Sequence, residues 1–177
     1  ALNFSIGSHL DRWFPMIDQK LKAEEAIIKS GIPYMIFRPT WFFESLGMMV
    51  RDGKAMMIGK QPIPWSWTAA DDFGKMIANA YQKEAARNKI FYIHGPEKHL
   101  MKDLLENYAK HLKLEKTTVK PAPIGLLKVI AFLTGNKMLK FAVNLFGYFE
   151  KTQERGDPSE ANELLGKPMT TFDIWLE

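Results

Sequence analysis

Asp71 and Asp72 form an adjacent carboxylate pair in this 177-residue chain, and paired carboxylates suit proton transfer. They stand at the head of an apolar-periodic stretch, where an aspartate caps a helix N-terminus and meets its dipole, so capping is the role expected of them. His94 ends a short apolar run and could face a cleft, although a satisfied structural histidine is the commoner outcome. His9, His99 and His111 show no ligand spacing with one another or with acids, so no metal site is expected. The absence of cysteine removes thiolate nucleophiles, thiolate ligands and disulfides. The stretch from Ser30 to Ser45 says most about chemistry. It reads as a helix end, a buried strand and an aromatic loop in which Pro39, Thr40, Trp41 and Phe42 follow the strand. In open α/β sheets ligands bind outside the carboxyl ends of strands, and apolar pockets with few polar anchors are the rule. These four residues are therefore expected to wall half of a ligand pocket, against the alternative of core aromatics under a loop. Phe43 is expected to be core, and Arg38 a structural ion pair or a cap on loop carbonyls rather than a catalytic cation.

The elements that must hold this loop follow from periodicity. Residues 15–30 predict a helix, with Pro15 in its first turn, Leu21, Ala23, Ile27 and Ile28 at helical spacing, and Gly31 as its stop. Residues 33–37 are a continuous apolar run, as in a strand buried on both faces of a parallel sheet. Further strands are expected at 64–68 and 89–94, with weaker ones at 1–6 and 117–120. Helices are expected at 72–86, 100–112, 124–134 and 137–152, and a short one at 41–50. Asp157-Pro158-Ser159-Glu160 combines an N-cap, a proline at N1 and an acid at N3, and Gly166 closes that helix. Strands alternating with helices give an α/β class.

A hydrophobic share of 46% with 25% charged residues describes an ordinary water-exposed fold with a sizeable core. The net charge of +4 comes from scattered lysines, whereas nucleic-acid binders cluster theirs, so no nucleic acid is expected as partner. The apolar stretch 121–149 is interrupted by Lys128, Asn136, Lys137, Lys140 and Asn144, so it lacks the unbroken length of a membrane span. Its two helices admit three readings: a lid packed on the domain, which ranks first, a dimer face, or a helix pair on a membrane surface with the three lysines at the headgroups. Membrane contact is not the expectation. The chain opens on the strand-like Ala1-Leu2-Asn3-Phe4-Ser5-Ile6 without an initiator Met or a signal peptide. It reads as a fragment of a cytoplasmic protein.

Several motifs occur in a telling order: Lys20-x-x-x-Glu24, Ser30-Gly31-Ile32-Pro33-Tyr34, Arg38-Pro39-Thr40, Ala70-Asp71-Asp72-Phe73-Gly74, Tyr92-Ile93-His94-Gly95-Pro96-Glu97 and Asn162-Glu163-Leu164-Leu165-Gly166-Lys167-Pro168-Met169-Thr170-Thr171. Together they resemble the NmrA-like group of atypical short-chain dehydrogenases, NAD(P)-binding Rossmann proteins related to nucleotide-sugar epimerases. The resemblance covers nearly the whole chain and the C-terminal half to two-thirds of such a protein. It implies NAD or NADP as cofactor, with Lys20 as the catalytic lysine that holds the cofactor ribose, and Pro39, Thr40, Trp41 and Phe42 beside the nicotinamide or substrate. On its residues alone, Lys20 is a solvated helix lysine among Asp18, Lys22, Glu24 and Glu25. Two features of the group have no counterpart. Gly7 stands alone where a Gly-x-x-Gly-x-x-Gly loop would cradle the pyrophosphate, so weak or absent cofactor binding is expected of this chain by itself. Met16 occupies the tyrosine position of the Tyr-x-x-x-Lys pair and cannot donate a proton.

The resulting expectation is the C-terminal part of a Rossmann-like parallel sheet over 1–98, with a smaller, mostly helical substrate-side region over 99–177. Its function would be that of an oxidoreductase or epimerase-like enzyme on a small carbonyl, alcohol or sugar substrate. The alternative is a non-catalytic dinucleotide-binding redox sensor or assembly protein. A homo-oligomer or a partner chain would supply the N-terminal half.

Overall fold

Ser30 and Gly31 end the first helix by local chemistry: the Ser30 N–H donates to the Ala26 and Ile27 carbonyls, and Gly31 takes a left-handed φ of 71°. The chain can then turn sharply and re-enter the interior as a strand. The computed structural model describes residues 2–4, by their backbone, and 14–177; Gly7 and His9, and the rest of the strand expected over 1–6, lie outside the described residues.

In chain order the elements are β1 (Leu2–Phe4), α1 (Pro15–Lys29), β2 (Met35–Pro39), β3 (Trp41–Phe42), a 3-10 turn Phe43–Met49, β4 (Val50–Arg51), β5 (Lys54–Ala55), β6 (Met57–Ile58) and β7 (Trp65–Thr68). They continue as α2 (Ala70–Gln82), a 3-10 turn Glu84–Ala86, β8 (Lys89–Ile93), β9 (Glu97–His99), α3 (Met101–His111), β10 (Pro121–Ala122), α4 (Ile124–Thr134), α5 (Lys137–Phe149), α6 (Ser159–Leu165) and α7 (Phe172–Leu176). The principal sheet is parallel in the order β1-β2-β8, with Met35 opposite both Leu2 and Lys89, and Pro39 opposite Ile93. Ile36 through Pro39 are buried, as a central parallel strand requires. A second sheet has the order β3-β7-β9, with β9 antiparallel. Only Thr40 separates β2 from β3, so the chain passes from one sheet to the other at that residue.

Two apolar clusters fill the interior. One gathers Trp41, Phe43, Trp67, Leu104, Tyr148 and Phe149. The other packs Phe37, Phe73, Phe91 and Ile93 against Ala161 and Leu165 of α6, with Phe37 meeting Phe73 edge-on at 5.9 Å and Phe91 at 5.7 Å. The first cluster joins residues on both sides of position 98.

Several expectations change. Trp41 and Phe42 are not helical; they pair with Trp67 and Thr68 of β7, and only then does a 3-10 turn begin. Burial of a tryptophan against a neighbouring strand outweighs its weak helical preference. Residues 117–120 are not a strand, since Glu106 takes the Val119 N–H at 3.1 Å and Lys116 alone bridges to Lys54. The aspartate pair does not cap α2 through a side chain: Ala69 holds the N-cap position. Asp72 instead accepts the Met169 and Thr170 N–H groups, both at 2.7 Å, and pins the C-terminal segment to α2. Asp71 and Asp72 still meet the helix dipole in the first turn. Asp157 accepts the Ser159 N–H at 2.9 Å just ahead of α6, which starts at Ser159.

Gly95 passes so close to β7 that a Cβ there would lie 1.6 Å from the Trp67 carbonyl oxygen, whereas one on Gly74 in α2 would meet nothing. Gly95→Ala is expected to cost about 3 kcal/mol or more, and Gly74→Ala to gain about 0.5–1 kcal/mol; denaturant unfolding of the two variants measures both. Burial raises the Asp72 carboxyl, but the Thr170 and Met169 amides, the Thr170 hydroxyl and Lys75 outweigh it and hold Asp72 below its ordinary value of 3.8. Because the folded value is the lower one, this stabilisation is complete above the unfolded value and disappears as pH falls through the folded one. Asp72→Asn should therefore lose about 1–3 kcal/mol at neutral pH, and its deficit against the parent chain should shrink in unfolding curves taken below the ordinary aspartate range.

Candidate functional site

The carboxyl ends of three strands meet where β2 turns into β3. Thr40 donates its N–H to Ile93 at the end of β8 (3.2 Å) and its hydroxyl to the Ser66 carbonyl of β7. On the adjoining side, Gly95 lies against the Trp67 backbone, which brings the His94 turn onto the end of β7. The two sheets together bring Thr40, His94 and, opposite Phe42 of β3, Thr68 to the strand ends, the place where ligands bind in open α/β folds.

Helix α1 carries the lysine singled out in the sequence. Its Glu24 is buried and binds Arg38 of β2 through two side-chain hydrogen bonds, while Arg38 also donates to the Tyr92 hydroxyl of β8. Arg38 is thus the structural ion pair expected of it, spanning helix and sheet. Because a short turn joins α1 to β2, the two run in opposite directions. Lys20 precedes Glu24 by one helical turn, about 6 Å, and Thr40 follows Arg38 by two strand residues, about 6.6 Å. Lys20 comes level with the carboxyl end of β2, half-buried. Burial pulls its ammonium below the ordinary 10.5, with Glu24 opposing the shift. Met16, one turn further, packs against the first apolar cluster and offers no acidic hydrogen.

The loop residues divide. Pro39 and Thr40 are buried backbone contributors. Trp41 is buried, packed on Trp67 (5.6 Å), Phe146 (6.0 Å) and Phe149 (4.9 Å), so its ring supports the loop from within the core. Phe42 is half-buried against Phe73 at 5.4 Å. Phe43 is fully buried, as expected.

Sequence reasoning passed over Glu154. Its carboxylate, 2% exposed, takes the Ser66 N–H at 3.0 Å and hydroxyl at 2.7 Å, with the Lys98 ammonium at 3.3 Å and His94 Nδ1 at 3.9 Å. The segment after α5 is thereby tied to the strand ends. Glu154 sits in the run Lys-Thr-Gln-Glu-Arg, which reads as solvated loop, and no sequence signal separates it from its neighbours. Around this seam, four buried polar atoms have no protein partner among the described residues: Trp41 Nε1, Trp67 Nε1, Thr68 Oγ1 and His94 Nε2. Buried polar atoms are rarely left unpaired; Thr68 Oγ1 and His94 Nε2 belong to residues at the ends of β7 and β8, whereas both tryptophan nitrogens belong to rings of the first apolar cluster. Among the described residues no set of acids and histidines could hold a metal ion.

Comparison with known proteins places this geometry. No family model matches the chain. The photosystem II assembly factor Ycf39 of Trieres chinensis is 22% identical over 169 residues, covering 91% of this chain and 49% of that protein. The solved NADPH-dependent quinone oxidoreductase QOR2 of Escherichia coli superposes with a TM-score of 0.73 at 16% identity, over 99% of this chain and 65% of that one. A nucleoside-diphosphate-sugar epimerase from Staphylococcus aureus gives 0.70 at 13% identity, over 99% and 63%. Triphenylmethane reductase of Citrobacter sp., solved with NADP(H), gives 0.71 at 13% identity, over 97% and 62%. The chain spans about half the length of the curated relative and under two-thirds of the solved chains. Its fold is shared with these reductases and this epimerase over part of their length.

Proposed function

We propose that this chain forms the nicotinamide and substrate side of a dinucleotide site in an NAD(P)-binding, NmrA-like oxidoreductase or epimerase-like enzyme, cytoplasmic, acting on a small carbonyl, alcohol or sugar. The observation that carries this reading is the edge where β2, β7 and β8 end. Thr68 Oγ1 and His94 Nε2 stand there buried and unpartnered, and the half-buried Lys20 comes level with them. That donor set fits the ribose and carboxamide end of a nicotinamide nucleotide: an ammonium for ribose hydroxyls, a hydroxyl and an imidazole for amide or substrate oxygen. Lys20 would hold the ribose, the Pro39–Phe42 backbone and the Phe42 ring would wall the ring side, and Trp41 would brace that wall from behind. When bound, the dinucleotide supplies hydride transfer; the chain's own residues position it and exclude water. The pyrophosphate cradle would come from outside these residues, in a longer polypeptide or a different partner chain.

One observation favours a second reading. Met16 lies in the apolar cluster at the position of the family's tyrosine, so no side-chain hydroxyl stands there to pass a proton, and water or another group would have to. A non-catalytic dinucleotide sensor or assembly protein needs no such donor, and the relative named as an assembly factor is in keeping with it.

Saturation-transfer NMR on the 177-residue chain with NADPH tests the shared claim. Nicotinamide protons should receive saturation and adenine protons should not, with a Kd weaker than about 0.1 mM, and Lys20→Ala should abolish the transfer. Adenine-centred contact, or transfer that Lys20→Ala leaves unchanged, would overturn the reading.

A further inference from the structure

The helical hairpin of α4 and α5 has a surface that water does not explain. Local chemistry closes it tightly: Gly135 takes a φ of 63° at the end of α4, and the Asn136 side chain caps α5 by accepting the Leu139 N–H at 3.0 Å. Apart from Lys128, α4 carries apolar or small residues around its whole circumference. A helix of that pattern belongs in a core or in lipid. Yet only Ala131 of α4 is buried. Phe132 is 84% exposed, Leu133 75% and Met138 78%, all at the closed end of the hairpin, with Leu126 and Val129 exposed along its side. Such a contiguous apolar surface marks an interaction site.

Charge identifies the occupant. Between Pro121 and Phe149 there are three lysines, Lys128, Lys137 and Lys140, and no acid. All three line one cleft of about 510 Å³ between the helices, together with Asn136 and Asn144. Lys137 stands in the first turn of α5, where the helix dipole favours an anion rather than a cation. A second copy of the hairpin would bring six lysines together, and the acid beside Lys128, Glu150, already accepts the Lys60 N–H, which argues against a self-associating face. An apolar protruding tip above a cleft of lysines and asparagines matches an anionic lipid surface, acyl chains meeting the tip and phosphates the cleft. No helix among the described residues is long and apolar enough to cross a membrane, so the contact is interfacial. We propose that the α4–α5 hairpin docks this protein on anionic phospholipid membranes, with Phe132, Leu133 and Met138 inserted and Lys128, Lys137 and Lys140 at the phosphates. The packing on the domain that ranked first from the sequence holds for α5, whose Tyr148 and Phe149 are buried in the first apolar cluster; the membrane reading concerns the exposed tip and α4.

Co-sedimentation of the 177-residue chain with vesicles of phosphatidylcholine, with and without phosphatidylglycerol, tests the proposal. Binding is expected only to the anionic vesicles, falling as salt rises. It should weaken about tenfold or more in Lys128→Gln/Lys137→Gln/Lys140→Gln, and comparably in Phe132→Ser/Leu133→Ser. These side chains are exposed, so both variants should keep the parent's thermal unfolding, measured in parallel. Four results would each overturn the proposal: no binding to anionic vesicles at low salt, equal binding to both vesicle types, a dimer dissolved by Phe132→Ser/Leu133→Ser without vesicle binding, or capture by polyglutamate but not by vesicles.

Discussion

Everything at the candidate site depends on one backbone event, the passage of the chain at Thr40 from the parallel sheet into the second sheet. A strand that leaves one ladder for another must find partners for its polar groups on both sides, because unpaired buried amides are costly. Thr40 meets that demand with its N–H on Ile93 and its hydroxyl on the Ser66 carbonyl. Trp41, pointing into the core against Trp67 and Phe149, locks the far side of the switch. The ends of β2, β7 and β8 are thereby fixed at a common edge, and the unpartnered Thr68 and His94 atoms are presented there.

Two buried carboxylates carry the same organisation outward. Glu154 draws the segment after α5 onto Ser66 of β7, and Asp72 draws the last residues onto α2 through two backbone amides. Neither acts as an exposed ion pair, which contributes little; each accepts backbone N–H groups from a distant segment, and the Ser66 residue bound by Glu154 is itself buried. The Arg38–Glu24–Tyr92 set plays a third such part, holding α1 to the sheet at the level that sets the height of Lys20.

Much of this was legible in the sequence where a local signal existed. Pro15 and Gly31 bounded α1, the apolar run after Pro33 gave the central buried strand, and Gly135-Asn136 split the two C-terminal helices at the observed place. Arg38 and Phe43 took the structural roles their types suggested. What was not legible depends on long-range partners. Glu154 and Asp72 look like surface acids until residues 88 and 97 positions away in the chain supply the groups they bind. Trp41 resembled a pocket aromatic because nothing local reveals the tryptophan, phenylalanine and strand that enclose it. β9 escaped notice since Glu97-Lys98-His99 has no apolar pattern and exists only through pairing with β7. For the hairpin, spacing showed apolar faces but not that they would remain uncovered.

The central claim is that the shared edge of β2, β7 and β8 is where this chain meets its ligand. Backbone amide shifts of the ¹⁵N-labelled 177-residue chain, followed during titration with nicotinamide mononucleotide, test it most directly. The account predicts shifts concentrated at Thr40, Phe42, Thr68, His94 and Gly95, with Lys20 as the helical outlier on α1. Shifts confined to the cleft between α4 and α5, or spread without focus over the surface, would contradict it.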